Sequence, residues 1–556
     1  MNTDSESGLI LRSEFDCLWE LPPEQNVSNY IIRKAKEHHE AGRVAAVKNA
    51  VTEETINYGD IDQISRSIAS KLHKLGLRKG DTVIYSTHDP AKVHVFLTGV
   101  WRANGIVRSS YPEDVGDVLV RRILESQALF LACDEHIAEE YINAVKSVPW
   151  NVTVIVFGNN VAPSPLGCLS IQEFYEDDGN DAPETNTTLE DIALILPTSG
   201  TTGDSKGAVY THRILLENIL AQENMPFTDK DEEPTIITSR QTHYVGAVVA
   251  LSFLTKGRML LTMSTVSVER LLETVDKYGV RAIVGFPKYL IGLVNHPDAV
   301  QYDTSSIHYL ACAGQVVVPE ALALIKMLPN LQTFINLYGM TEAGLLVTSA
   351  DWAAMKNGIC KALDDEKDYT VGKLPPKTQL KVLDFETGNV VGADCKGELC
   401  FKTPIMTAGY LNRVEEEAET FQDGWVKTGD VGYYDENGFI YIVDRAKEIF
   451  KYYNNHISPS EIENVLLGHP SVAEAVVIGV LDPEGGGYIP RGFIVPKTEH
   501  VISEVELKSY AEQNLPSYKQ LKGGIFILSQ IPVGKTGKVT RKLFTELELP
   551  IPAPAH

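Results

Sequence analysis

At 556 residues the chain is too long for one compact core, so two or more domains are expected. Hydrophobic residues make up 44% and charged residues 22%, an ordinary balance for a globular protein. A formal net charge of −24 excludes the basic excess that marks a nucleic-acid partner, and any polyphosphate site must be locally positive inside an acidic envelope.

The seven cysteines are scattered. Cys395 and Cys400 form a C-x4-C with no second pair and no histidine cluster, which reads as reduced thiols rather than zinc ligands. No apolar run is long enough to cross a bilayer. The polar start (MNTDSESG) is unlike a signal or transit peptide, and the end (PAPAH) is not the peroxisomal Ser-Lys-Leu. A cytoplasmic protein without a transmembrane segment, monomeric or weakly dimeric, is expected.

Helix and strand signals alternate along the chain, which predicts an α/β fold. The apolar run IALILP ending at Pro197 reads as a strand feeding the glycine loop Leu196–Gly207, LPTSGTTGDSKG. Open α/β sheets bind ligands at such strand ends. Gly200, Gly203 and Gly207 let backbone approach a ligand closely, Thr198, Ser199, Thr201 and Thr202 add hydroxyls, and Lys206 adds a mobile charge. It is not a Walker A loop, because Asp204-Ser205 stand where the Gly-Lys pair would be. By composition alone it reads equally as a surface turn.

Val268, Leu271, Leu272, Val275 and Tyr278 repeat at helical spacing, with Gly279 as the stop, and Arg281–Phe286 follows as a strand. Tyr433–Tyr441 reads as a hairpin with Asn437-Gly438 as its turn. A domain boundary is expected at Asp444–Glu448. After it, Ser458-Pro459-Ser460-Glu461 is a capping box with proline at the first helical position. A strand over Ala473–Val480 and a helix opened by Ser503–Glu506 complete a small α/β unit.

Four further motifs follow the glycine loop in order: YGMTE at Tyr338–Glu342, TGD at Thr428–Asp430, DRAKEIFK at Asp444–Lys451 and GKTGK at Gly534–Lys538. This ordered set resembles the adenylate-forming superfamily of acyl-CoA synthetases, 4-coumarate–CoA ligases, beetle luciferases and peptide-synthetase adenylation domains. The similarity covers nearly the whole chain after about residue 40. Stretches such as Gly397–Asn412 look most like the 4-coumarate–CoA ligase and luciferase-like branch.

The resemblance implies the adenylate-forming enzyme fold: a large N-terminal domain of packed α/β subdomains (1–444), a hinge (445–448) and a small mobile C-terminal α/β lid (449–556). It implies an ATP-dependent acid–CoA ligase with ATP, coenzyme A, a small carboxylic acid and Mg²⁺ as its partners. Thr198–Gly207 would hold the β- and γ-phosphates, Thr341 the α-phosphate and Glu342 the metal, as a hard carboxylate oxygen can. Tyr338 would stack on adenine beside Gly314 and Gly339. Asp430 would accept the ribose hydroxyls, with Arg445 beside it. Lys538 would reach the reacting carboxylate and α-phosphate; on its own it reads as one lysine of a basic loop with Lys535, Arg541 and Lys542.

In most relatives coenzyme A then takes the acyl group after the lid turns about Lys447, which would bring Lys451 to the site. Asn454 stands where relatives usually carry glycine, which puts CoA as acceptor in question. His243 would flank the carboxylate, and Tyr244, Val245, Ala313, Gly314, Leu345 and Leu346 would line the acyl pocket, with Leu345 and Leu346 readable equally as core. The stretch QTHYVG carries no acid, which weighs against amino-acid substrates, and the mostly apolar pocket residues that the resemblance implies predict an apolar aromatic or medium- to long-chain acid. The alternatives are a luciferase-type monooxygenase, an adenylating enzyme with a non-CoA acceptor, and a degenerate binding module. Asn218, Val245 and Leu345 depart from the beetle luciferase residues, so strong luminescence with beetle luciferin is not expected.

Overall fold

A computed structural model of the chain describes residues 9–17, 19–87, 90–158, 167–198, 205–225, 233–314, 319–352, 362, 370–453, 455–483, 485–497, 500–532, 539 and 541–545. Its centre is two sheets with parallel interiors. In one, Ile192–Pro197, Ile106–Ser109, Thr82–Ser86, Phe130–Asp134 and Thr153–Phe157 lie side by side. In the other the order is Thr333–Met340, Tyr309–Ala313, Ala282–Gly285, Thr235–Ile237, Leu260–Thr262 and Ala45–Asn49. Strands buried on both faces read as unbroken apolar runs rather than alternating ones, and IALIL, FLACD and AIVG are of that kind. Each sheet ends in an antiparallel strand: Gly207–Thr211 beside Ile192–Pro197, and Gly344–Thr348 beside Thr333–Met340.

One core joins the two sheets. Leu194 and Leu196 from the first, Val284 and Ile335 from the second, and Leu97 and Trp101 between them belong to a single buried cluster. Each such leucine removed from water contributes about 1.5–3 kcal/mol. A third, antiparallel sheet, built on Gln379–Leu383, Gly397–Lys402, Trp425–Tyr434 and Ile440–Arg445, packs its inner face on Leu346 and Val347.

After Phe450 the chain forms the hairpin Phe450–Tyr452/Asn455–Ile457, the sheet Val472–Leu481, Tyr488–Pro496 and Ile525–Ile527, and the helices Pro459–Leu467 and Glu504–Asn514. These elements bury two apolar clusters that contain no residue before Phe450.

The periodic segments fold as read. The helix runs Val268–Tyr278, with Ser267 accepting from the Arg270 N–H and Gly279 left-handed at φ 61°. The predicted strands appear as Ala282–Gly285 and Val472–Leu481. Two local readings need correction. The connection after Tyr434 is not a two-residue turn on Asn437-Gly438. The Asp435 carboxylate accepts from the Asn437 and Phe439 N–H groups and shapes a longer loop, in which Gly438 is left-handed and Asn437 is not. The capping box at Ser458 is half made. Ser458 Oγ accepts from the Glu461 N–H, but the Glu461 carboxylate turns away to Lys519 and Lys396.

The described cysteines are all free, with Cys395 exposed and Cys400 buried. Among the described residues no helix is long and apolar enough to cross a membrane.

Candidate active site

A cavity of about 550 Å³ opens where the second sheet's strands end. Val284 and Ala313 stand at the carboxyl ends of neighbouring strands, and Leu337 is the register partner of Ala313 on the next one, the position at which open α/β sheets present ligand sites. Thr198, directly after Ile192–Pro197, closes one side, and Thr428, Arg445 and Lys447 close another.

The polar end is organised around Asp430, a buried carboxylate. Tyr338 Oη donates to its Oδ2 (2.5 Å) and Arg445 Nε to its Oδ1 (2.7 Å). Asp430 and Arg445 are register partners across antiparallel strands, so their side chains meet on one face. Gly429, left-handed at φ 69°, aims the carboxylate, and the Asp430 N–H bonds Thr428 Oγ1 (3.0 Å). Burial, and then the Asp430 charge, push the Tyr338 phenol well above its usual range, so the hydroxyl stays a donor.

The base of the glycine loop is pinned. The Thr198 N–H donates to Lys206 O (2.8 Å), and the Lys206 N–H donates to Thr198 Oγ1 (3.3 Å). Ser199, Gly200, Thr201, Thr202 and Gly203 lie outside the described residues, as do Lys538 and Asn454. Lys206 Nζ sits 4.7 Å from the centre of the Tyr410 ring, and Tyr410 Oη donates to Glu342 Oε1 (2.8 Å). Thr341 lines the cavity, with its carbonyl accepting from Tyr210 Oη.

Glu342 is buried, and burial raises its carboxyl above the usual range. No group of three or more His, Cys, Asp or Glu able to hold a metal ion by itself occurs among the described residues. The Glu342 carboxylate accepts from Tyr410 and from its own N–H, and its remaining lone pairs fit Mg²⁺, which protein sites hold by one or two carboxylates together with substrate phosphates.

The apolar end is carried by a π-helical turn, Val245–Val249, a local form that recurs at functional sites. Gly246 allows it: a Cβ there would lie 2.1 Å from Arg240 O. The turn presents His243, Tyr244 and Val245 to the cavity, with His243 Nδ1 3.4 Å from Ser239 Oγ. Tyr244 Oη donates to Asn218 Oδ1 (2.8 Å), and Asn218 Nδ2 in turn donates to Ile405 O (3.0 Å).

Ala313, Gly314 (φ 88°), Gly339 and Leu345 complete this end. Leu346 does not belong to it. Successive side chains on a strand face opposite ways, so with Leu345 in the cavity Leu346 is buried against the third sheet. Lys447 lines the cavity, while Lys451 is exposed on the Phe450–Tyr452 strand and does not line it. In the turn of that hairpin Tyr453 is left-handed, at φ 49°.

Sequence reasoning missed Tyr410, Phe286, Gln222 and Met225, which also line the cavity. Tyr410 stood within the recognised stretch Gly397–Asn412, but nothing local ties its ring to Lys206. Gln222 lies within the helix His212–Glu223 and Met225 just beyond it, and that helix has buried residues all around it, so no polar face singles them out.

The chain is similar to the peroxisomal OPC-8:0-CoA ligase 1 of Arabidopsis thaliana, at 27% identity over 94% of this chain and 93% of that protein. It is 27% identical to 4-coumarate–CoA ligase 1 of Petroselinum crispum over 96% of both chains. The ATP-bound structure of MatB from Rhodopseudomonas palustris superposes with a TM-score of 0.81 at 22% identity, over 94% of this chain and 98% of that one. The model of the AMP-binding enzyme matches residues 32–411 and that of the AMP-binding enzyme C-terminal domain residues 461–538, so the chain belongs to the AMP-binding enzyme family.

Proposed function

We propose that the chain is an ATP-dependent carboxylic acid–CoA ligase working through an acyl-adenylate. One observation carries this reading: a single cavity joins Tyr338 and Arg445, which both hold the Asp430 carboxylate at its wall, the Lys206 end of the glycine loop and Glu342 to an apolar end at His243–Leu345. The names of the relatives as CoA ligases support thiol transfer.

In the first step a carboxylate oxygen of the substrate bonds to the α-phosphorus of ATP, the bond to the bridging oxygen breaks and pyrophosphate leaves. Two anions must meet, so the site has to supply opposing charge and donors. Asp430 takes the ribose hydroxyls, Arg445 holds Asp430, and Lys206 and Thr198 face the phosphates. Glu342 would hold Mg²⁺, which when bound offsets phosphate charge. His243 flanks the carboxylate. Lys538 supplies a point charge at the α-phosphate.

In the second step the CoA sulfur bonds to the acyl carbon and AMP leaves. We divide the chain into 1–444, a hinge at 445–448 and a lid at 449–556, with the lid turning about Lys447 so that Lys451 replaces Lys538. The apolar lining favours an aromatic or medium- to long-chain acid.

The test is pyrophosphate release from Mg-ATP across cinnamates, benzoates, fatty acids of several lengths, amino acids and beetle luciferin, with and without CoA. Release confined to one class of apolar acid and accelerated by CoA is expected. Release indifferent to CoA would overturn CoA as acceptor, and release with amino acids alone would overturn the substrate class.

A further inference from the structure

Tyr410 is placed with more care than a cavity wall requires. It lies on residues 408–411, which zip onto the free edge of Gly207–Thr211. The Ala408 N–H donates to Val209 O (2.8 Å), the Val209 N–H to Gly409 O (3.0 Å) and the Leu411 N–H to Gly207 O (2.8 Å). Gly409, at φ 122°, brings the backbone so close to Glu417 that a Cβ would lie 2.3 Å from its carboxylate. Glu417 Oε2 accepts the Tyr410 N–H (3.0 Å), and Phe421 packs edge-on at 5.5 Å. The ring is therefore fixed by the segment that follows the glycine loop.

Its two ends face opposite charges. The ring face takes the Lys206 ammonium at 4.7 Å, and the hydroxyl takes Glu342 Oε1 at 2.8 Å. Lys206 and Glu342 carry opposite charges in one cavity, and a direct pair would satisfy each with the other. An aromatic ring attracts a cation through its face without neutralising it. A phenol donates a single hydrogen bond to a carboxylate and leaves it lone pairs for a cation.

We propose that Tyr410 is a positioning residue that holds Lys206 and Glu342 apart, the ammonium kept for the polyphosphate and the carboxylate kept for the metal. This rests on the reading of the glycine loop and Glu342 as the ATP and metal site. It assigns the two parts of one side chain to two separable tasks.

The experiment compares Tyr410→Phe and Tyr410→Leu in the full chain, by calorimetric ATP binding in EDTA and by the Mg²⁺ concentration that half-saturates the ATP complex. Tyr410→Phe keeps the ring, so metal-free ATP binding should stay within about twofold, while half-saturating Mg²⁺ rises about fivefold as the carboxylate loses its donor. Tyr410→Leu should also weaken metal-free ATP binding, by about tenfold, as the ammonium loses its seat. Identical behaviour of the two variants in both measurements would overturn the proposal. If Tyr410→Leu does not fold, an unchanged Mg²⁺ requirement in Tyr410→Phe overturns it alone. Failure of the wild-type protein to bind ATP would instead overturn the underlying site reading.

Discussion

Asp430 shows how much one carboxylate can organise. Its two oxygens hold Tyr338 and Arg445, and its own N–H is held by Thr428. Asp430→Asn keeps the shape but loses the charge that Arg445 answers, and its amide nitrogen must face a donor. We expect KM for ATP to rise about tenfold or more with a smaller fall in kcat, since a mispaired charged hydrogen bond costs about 1.5–3 kcal/mol. Steady-state kinetics of pyrophosphate release would show it. A second residue-scale effect comes from buried histidines. Burial drives His94 and His212 down to about 4, against an ordinary 6.5, so both are neutral in the folded chain near pH 7. Below pH 6.5 the unfolded chain takes up protons that the folded one refuses. Their contribution is therefore complete above pH 6.5 and is lost as pH falls towards 4. His94 accounts for about 2–3 kcal/mol of that loss by about pH 4.5. His94→Gln, which can still donate to Gly246 O where His94 Nε2 now lies at 3.2 Å, should flatten the decline in the urea midpoint between pH 7 and about pH 5.

At the scale of elements, the floor of the apolar end depends on the π-helical turn meeting the helix His212–Glu223 and the strand Gly344–Thr348. Tyr244 reaches from the turn to Asn218, and its hydroxyl sits where Gly344 leaves room: a Cβ there would lie 2.9 Å from Tyr244 Oη and 2.6 Å from Asn218 Oδ1. Asn218 and Ile405 lie behind that hydroxyl and do not line the cavity. Tyr244→Ala should therefore deepen the pocket. We expect the preference among acids, read as ratios of kcat/KM for pyrophosphate release, to move about tenfold or more towards longer or bulkier acids, with KM for ATP unchanged. An unaltered order of acids would show that Tyr244 does not end the pocket. The pairing of Leu345 with the cavity and Leu346 with the third sheet makes the same point: strand alternation says the two face opposite ways, but not which face is the cavity.

At the scale of the molecule, the small C-terminal unit has its own buried clusters and is tied to the rest through Asp444. Asp444 is buried at the end of the strand Ile440–Arg445. Its Oδ2 accepts from Ser458 Oγ (2.6 Å) and from the Ser460 N–H (3.0 Å), at the start of the helix Pro459–Leu467. A carboxylate there satisfies otherwise unpaired N–H groups and suits the helix dipole. Lys396 adds a weaker link to Glu461 at 3.5 Å, partly exposed. Asp444→Ala removes the tie while leaving each core intact. Limited proteolysis should then cut residues 445–453 several-fold faster, with the two flanking parts still resistant. Uniform degradation would mean that the two parts do not hold together independently.

Much of the fold was legible because its signals are local. The apolar runs of the parallel strands, the helical spacing of Val268–Tyr278 with its Gly279 stop, and the Ser458-Pro459 helix start each arise from backbone and side-chain preferences within a few residues. The ordered motifs likewise named Arg445, Tyr338, Thr341 and Glu342, which line one cavity, and Asp430, which Arg445 and Tyr338 hold behind its lining. What the sequence could not decide depends on contacts between residues far apart in the chain. Tyr410 meets Lys206 and Glu342 across 204 and 68 positions because residues 408–411 pair with an edge strand, and no local pattern encodes that partner. Asn437-Gly438 yielded to Asp435, whose side chain captured the turn, and Glu461 left its capping box for lysines supplied by other segments. Local chemistry determined which elements form and which side chains could react. Tertiary packing alone decided which face each strand turns to the cavity, and which distant charge each polar group meets.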